Sequence, residues 1–128
     1  MRLDPRWSPE PDLLVVRARR QRLMKETHLA GAADFVVEIV SESDPGLDYR
    51  EKLPRYRDAG IREIWIVDRF QREVHVETKL ARRYRARTLR VGRLESVVVP
   101  GFWIEVSWLW RKRLPSSLTC LEQILERH

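Results

Sequence analysis

Apolar and polar residues alternate along the chain with short periods that predict strands around one central helix. The segment DFVVEIV (34–40) is a nearly continuous apolar run of strand length, which is typical of a strand covered on both faces. A Val/Leu-rich run in PDLLVVRA (11–18) predicts a shorter strand before it, opened by Pro11 and Asp12. REIWIVD (62–68) predicts a third strand.

The segment between the second and third strands, DYREKLPRYRDAG (48–60), predicts a helix. Asp48 is a candidate N-cap residue, and Gly60 is a candidate stop signal. Pro54 lies inside the segment, where it removes a backbone donor and is expected to kink or delay the helix. The resulting order is strand, strand, helix, strand, which predicts an α/β (α+β) fold.

The rest of the chain predicts further β-structure. REVHVET (72–78) and RYRARTL (83–89) alternate in polarity, as expected for an antiparallel meander. The segment 95–110 adds a short strand and an aromatic-rich stretch, and Leu and Ile residues at helical spacing predict a C-terminal helix over 116–127. We expect one domain, 1–128, with its core in 11–110.

Composition and charge narrow the function classes. The 128 residues, 43% hydrophobic and 34% charged, fit one globular domain, and no run approaches the roughly 18 apolar residues of a membrane span. The N-terminus has no apolar region of a signal peptide, and one cysteine excludes an internal disulfide, so a cytoplasmic location is expected. The net charge of +6 modestly favours a nucleic-acid partner.

Glu38 stands among apolar residues in the predicted second strand, where an ionised carboxylate is costly unless it is paired or bound to a metal. Asp12 opens the first strand, so pairing of the two strands would bring both carboxylates to one edge. Two acids and several waters suit octahedral Mg²⁺ (or Mn²⁺). Lys52, one loop further on, is the candidate for stabilising charge on a phosphate or positioning a water.

Asp48, Lys52 and Tyr56 are spaced at i, i+4 and i+8, so on a helix they form one stripe. The stripe could lie over the carboxylates of Asp12 and Glu38. The alternative is an exposed acid–base pair, worth about 0.3–0.5 kcal/mol and without function. Spacing alone favours the exposed pair.

PDLLVV, DFVVEIVSES, DYREKLPRYRDAGIREIWIVD and VPGFWIEV, in this order, resemble the Uma-type endonuclease family of the PD-(D/E)XK, restriction-endonuclease-like superfamily. The resemblance implies a mixed sheet with flanking helices and a metal-dependent phosphodiesterase fold. Asp12 and Glu38 match the two metal-binding acids. Ile39 and Val40 stand where the superfamily has its lysine, and Lys52 resembles a migrated substitute.

The resemblance implies a Mg²⁺-dependent endodeoxyribonuclease, with catalytic Asp12, Glu38, Lys52 and Tyr56 and the Ile39 carbonyl as a further metal ligand. Family members carry some tens of residues before the Pro-Asp strand, so the N-terminal part of the core is expected to be missing here. That departure and Pro54 motivate an alternative: a catalytically inactive module for nucleic-acid binding or protein assembly.

The remaining aromatic and charged residues predict mainly structural roles. The tryptophans 65, 103, 108 and 110 are expected in the core, and Glu63 and Glu77 on the surface. Asp68 is expected to form a turn. The segment 81–90 could follow phosphates with Tyr84 stacking on bases, or be a solvated strand face. Uncovered aromatic surface and an open sheet edge predict a homodimer.

Overall fold

The structure, a computed structural model, describes residues 1, 3, 11–25 and 31–110. The helix predicted at 116–127 lies outside these residues. One sheet contains β1 (Leu13–Val15), β2 (Phe35–Ile39), β3 (Glu63–Asp68), β4 (Glu73–Leu80) and β5 (Arg83–Leu89), in the order β1-β2-β3-β4-β5. Strands β2 and β3 are parallel, and all other neighbours are antiparallel. This mixed α+β architecture confirms the predicted fold class.

The helical segment between β2 and β3 begins with a π-helical turn, Asp48–Lys52, and continues as α1, Leu53–Asp58. Pro54 therefore lies in the first turn of α1, directly after the π-helical turn, and the helical segment continues through it. The Leu53 N–H bonds to the Asp48 carbonyl five residues back. The predicted stop is confirmed, because Gly60 has a φ of 76° directly after the helix.

Asp48 does not cap the helix as predicted. The residue in the capping position is Leu47, which has helical dihedral angles and no side-chain capping bond. The Asp48 carboxylate instead forms an ion pair with Lys52. A π-helical first turn explains the error, because it includes Asp48 within the helical segment.

Two hydrophobic clusters cover the two faces of the sheet. On the helix-covered face, alternate residues of β2 and β3 pack against the helical segment and the residue that follows it; this cluster includes Val36, Ile64, Ile66, Leu53, Tyr56 and Ile61. The parallel β2–helix–β3 connection places the helical segment across this face. The helix-covered face is therefore the one on which Glu38, two residues after Val36, must lie.

The opposite face is covered by a ribbon of β6 (Arg93–Glu95) and β7 (Trp103–Glu105), followed by a 3₁₀ turn, Val106–Trp110. Trp65, Trp103 and Trp108 are buried and Trp110 packs against the cluster, which confirms their core role. Because the aromatic segment covers this chain's own sheet, the homodimer prediction rests on the edge strands alone. No helix in the described part of the chain is long and apolar enough to cross a membrane.

The predicted surface positions of Glu63 and Glu77 are wrong, because both side chains are fully buried (0%). Glu77 lies on the helix-covered face and pairs with Arg57 and His75. Asp68 forms the expected turn by accepting the backbone N–H groups of residues 70 and 71. Tyr84 packs against the helix-side cluster and donates to the Ile61 carbonyl at 2.7 Å, so its ring is not a free stacking platform.

Candidate active site

Glu38 lies near the end of β2 with 1% of its surface exposed. Its Oε1 accepts a hydrogen bond from the Tyr56 hydroxyl at 2.5 Å, and its Oε2 accepts one from the Lys52 Nζ at 3.2 Å. The buried carboxylate is thus paired, as burial requires. Both donors come from the helical segment that crosses the helix-covered face, which confirms that Lys52 and Tyr56 face Glu38.

Asp48, Lys52 and Tyr56 form the stripe predicted from their spacing, and the stripe is not an exposed pair. Asp48 is 3% exposed and Tyr56 is fully buried. The Lys52 Nζ lies 3.4 Å from Asp48 Oδ1, so the ammonium bridges Asp48 and Glu38. The stripe predicted the position of Asp48, but Asp48 is not among the predicted catalytic or metal-binding residues.

Asp12 lies directly before β1, and its Oδ2 accepts the backbone N–H of Ile39 at 2.6 Å. Leu13 pairs with Val37 in the antiparallel β1–β2 ladder, so the same register continued by one residue sets Asp12 opposite Glu38. Burial raises the pKa of Asp48, and the charge of Asp12 adds to this effect. Asp12, unlike Glu38, is exposed to solvent.

Burial and neighbouring charges shift the pKa values of Glu38, Lys52 and Tyr56. Burial raises the pKa of Glu38, and the hydrogen bond from Tyr56 and the charge of Lys52 only partly oppose this effect. Burial lowers the pKa of Lys52, but attraction to Glu38 and Asp48 outweighs it and raises the pKa overall. Burial and the Glu38 contact raise the pKa of Tyr56. Lys52 is therefore an ammonium and Tyr56 a neutral donor at physiological pH.

The donor set fits a hard divalent ion better than zinc. Asp12, Glu38 and Asp48 supply three negative charges against the one positive charge of Lys52, so the site carries a net negative charge. Within the described ranges, no three acidic, histidine or cysteine side chains are close enough to bind a metal by themselves. Mg²⁺ needs only one or two carboxylates plus waters, whereas structural zinc takes four protein ligands.

The pKa shift of Glu38 predicts a specific pH dependence of stability. A pKa raised by folding contributes stability that is present below the unfolded value of 4.5 and lost as the pH rises through the folded value. Glu38→Gln is neutral at every pH and keeps an acceptor for Tyr56. In metal-free buffer we therefore expect the melting temperature of Glu38→Gln, relative to wild type, to rise between pH 4.5 and 8.

Melting curves at several pH values in EDTA measure this difference directly. Glu95→Gln, an exposed position on β6, is the control and should show no such trend. A difference between Glu38→Gln and wild type that stays constant over this pH range would contradict a costly ionised Glu38.

Comparison with known proteins shows which family the chain matches. The family model Uma2, described as "Putative restriction endonuclease", matches residues 1–107, which include Asp12, Glu38, Lys52 and Tyr56. A search of the curated proteins found no match. The chain therefore belongs to the Uma2 family, within the restriction-endonuclease-like superfamily.

Proposed function

We propose that this protein is a Mg²⁺- or Mn²⁺-dependent endonuclease that hydrolyses phosphodiester bonds in DNA. The observation that carries the proposal is the buried Glu38 carboxylate, which contacts Lys52. The next residue, Ile39, donates its backbone N–H to Asp12, so both carboxylates lie at the same end of β2. Family membership supports a nuclease-like function. The net charge of +6 is compatible with a polyanionic substrate.

Asp12 and Glu38 would hold the divalent ion, with the Ile39 carbonyl as a further ligand. The N–H and C=O groups of one strand residue point to the same side, so the Ile39 carbonyl faces the side on which Asp12 accepts the Ile39 N–H. Bound there, such an ion would act as a Lewis acid and lower the pKa of a water molecule bound to it.

The roles of the neighbouring residues follow from their protonation. Because Lys52 stays charged, it donates a hydrogen bond to a phosphate oxygen rather than removing a proton from water. Two of its three N–H groups are directed to Glu38 and Asp48, which leaves one for the substrate. Tyr56 fixes the orientation of the Glu38 carboxylate through its short hydrogen bond.

The inactive-module alternative drew part of its motivation from Pro54. In the structure Pro54 occupies the first turn of α1, and Lys52 still reaches Glu38. The helix therefore presents the lysine in spite of the proline, and this observation favours the catalytic proposal.

The test combines cleavage with metal binding. We expect the protein to nick supercoiled plasmid in Mg²⁺ or Mn²⁺ and not in EDTA. Mn²⁺ should also raise the melting temperature, with a stabilisation of about 1.4 kcal/mol at ten times the dissociation constant. Asp12→Ala should lose the Mn²⁺ response while keeping its circular dichroism spectrum.

Absence of nicking together with no thermal shift at millimolar Mn²⁺ would contradict the proposal and favour the inactive module. A thermal shift of equal size in wild type and Asp12→Ala would instead place the bound ion away from Asp12.

A further inference from the structure

The carboxylates of Asp12, Glu38 and Asp48 with Lys52 form the acidic site. A cavity of about 290 Å³ lies at the opposite end of the sheet. It is lined by the residues before β2 and β3, by the residues after α1 and by Lys79 near the end of β4. The 3₁₀ turn Ala18–Leu23 closes another side. Among the described residues, its charged lining consists of one acid, Asp34, and four cations: Arg19, Arg20, Arg62 and Lys79.

The single acid of the cavity is already fully engaged. One Asp34 oxygen accepts a hydrogen bond from Arg20 Nη1 at 2.9 Å, and the other accepts the Arg17 backbone N–H at 2.7 Å. Arg20 also donates to the Ala32 carbonyl. Asp34 and Arg20 therefore neutralise each other and form one wall of the cavity.

The other three cations of the cavity, Arg19, Arg62 and Lys79, are exposed. Within the described residues, their charged groups have no carboxylate or hydrogen-bond partner. Three positive charges around one concavity repel one another unless an anion lies between them. The cavity thus has the charge of an anion-binding site.

The backbone around these cations is fixed by the fold. The Lys79 N–H bonds to the Arg62 carbonyl at 2.8 Å, and the Glu63 N–H bonds to the Asp34 carbonyl at 3.2 Å. Lys79 also lies over Gly60, because a Cβ at that glycine would approach its Nζ to 3.1 Å. The strands therefore fix the backbone positions from which the side chains of Arg62 and Lys79 extend, so binding need not order the backbone there.

We propose that this cavity binds a phosphate group, held by Arg62 and Lys79 with Arg19 at the rim. A phosphate offers several acceptor oxygens and up to two negative charges, which match two guanidinium forks and one ammonium. A single carboxylate would leave more of the positive charge uncompensated. The phosphate belongs either to a small phosphate ester or to a nucleic-acid backbone.

The proposed phosphate site is separate from the acidic site. Asp34 and Glu38 are separated by about 13 Å of extended strand, and no carboxylate of the acidic site lines the cavity. The phosphate proposal therefore goes beyond the proposed function, and binding can be measured in EDTA and in Glu38→Gln, where nicking is absent.

The first experiment titrates inorganic phosphate against the protein in EDTA, with chloride at equal ionic strength as reference. Calorimetry should show saturable binding to wild type and about tenfold weaker binding to Lys79→Ala and to Arg62→Ala, since each removes a charge-assisted hydrogen bond. Lys79→Arg should retain binding. Arg87→Ala, which removes an exposed charge on β5, should change affinity by less than about twofold.

The second experiment measures the affinity of the protein for duplex DNA that has no terminal phosphates, as a function of salt concentration. If Lys79→Ala weakens duplex binding and reduces the slope of log K against log salt by about 1, the bound phosphate belongs to the DNA backbone. An unchanged slope with weakened phosphate binding assigns the site to a small phosphate ester. The proposal is overturned if neither ligand distinguishes Lys79→Ala and Arg62→Ala from Arg87→Ala.

Discussion

Glu38→Gln and Asp12→Asn are each expected to reduce Mg²⁺-dependent nicking by at least about a thousandfold while leaving the protein folded. Each removes one of two carboxylates proposed to hold the ion, and metal stabilisation of the transition state is worth several kcal/mol, about 4 of which account for a thousandfold change. Both substitutions preserve side-chain volume. Rates of plasmid nicking at saturating Mg²⁺ provide the measurement.

The control for these two variants is Glu95→Gln, which removes an exposed carboxylate on β6, outside the acidic site. It should nick at the wild-type rate. Lys52→Met should also lose activity yet keep the Mn²⁺-induced thermal shift, because Lys52 contacts the proposed ligand Glu38 without being a ligand itself. Wild-type nicking by Glu38→Gln would contradict the assignment of Glu38.

The contact of Glu38 with Lys52 and Tyr56 was predictable from the sequence because its signals are local. A carboxylate inside an apolar strand, as at Glu38, is rare enough to require a partner. The spacing of Lys52 and Tyr56 placed both on the same side of a helix, and this relation persisted although the first turn is π-helical. The burial of Asp48 was not predictable, because it depends on how closely the helical segment packs on the sheet.

Errors occurred where burial is decided by residues distant in the sequence. Glu63 begins the predicted third strand and Glu77 stands near the end of the alternating segment REVHVET, and a charged residue at a strand edge usually faces solvent. Glu77 is buried because Arg57, 20 residues away, lies over it. Glu63 is buried because the loop after β6 closes over it. Neither contact has a signal in the local pattern.

Two of the buried glutamates, Glu38 and Glu63, lie on opposite faces of the sheet and differ in their partners. Glu38 on the helix-covered face contacts one hydroxyl and one ammonium. Glu63 accepts hydrogen bonds from the Ser96 hydroxyl, the Trp65 indole and two backbone N–H groups. The partners of Glu63 are all neutral, and three of them, from residues 96–98, attach the loop after β6 to the start of β3, which indicates a structural rather than a chemical role.

Glu63→Ala is therefore expected to lower the free energy of unfolding by about 4 kcal/mol or more. It leaves four donors without their acceptor in a largely buried place, at about 1–3 kcal/mol each. Because a domain of this size is stable by only about 5–15 kcal/mol, the variant approaches unfolding at room temperature. Urea denaturation followed by circular dichroism measures the loss.

Ser96→Ala keeps the prediction testable if Glu63→Ala does not fold. It removes one of the four donors, which bonds to Glu63 Oε1 at 2.7 Å, and should cost about 1–3 kcal/mol. In the Glu63→Gln background Ser96 can donate only to a neutral amide oxygen, so the same serine substitution should cost less, since a hydrogen bond to a carboxylate is the stronger one. Glu51→Gln, exposed on the helical segment, should stay within about 0.5 kcal/mol of wild type. Equal costs of Ser96→Ala in both backgrounds would contradict a contribution of the Glu63 carboxylate to this hydrogen bond.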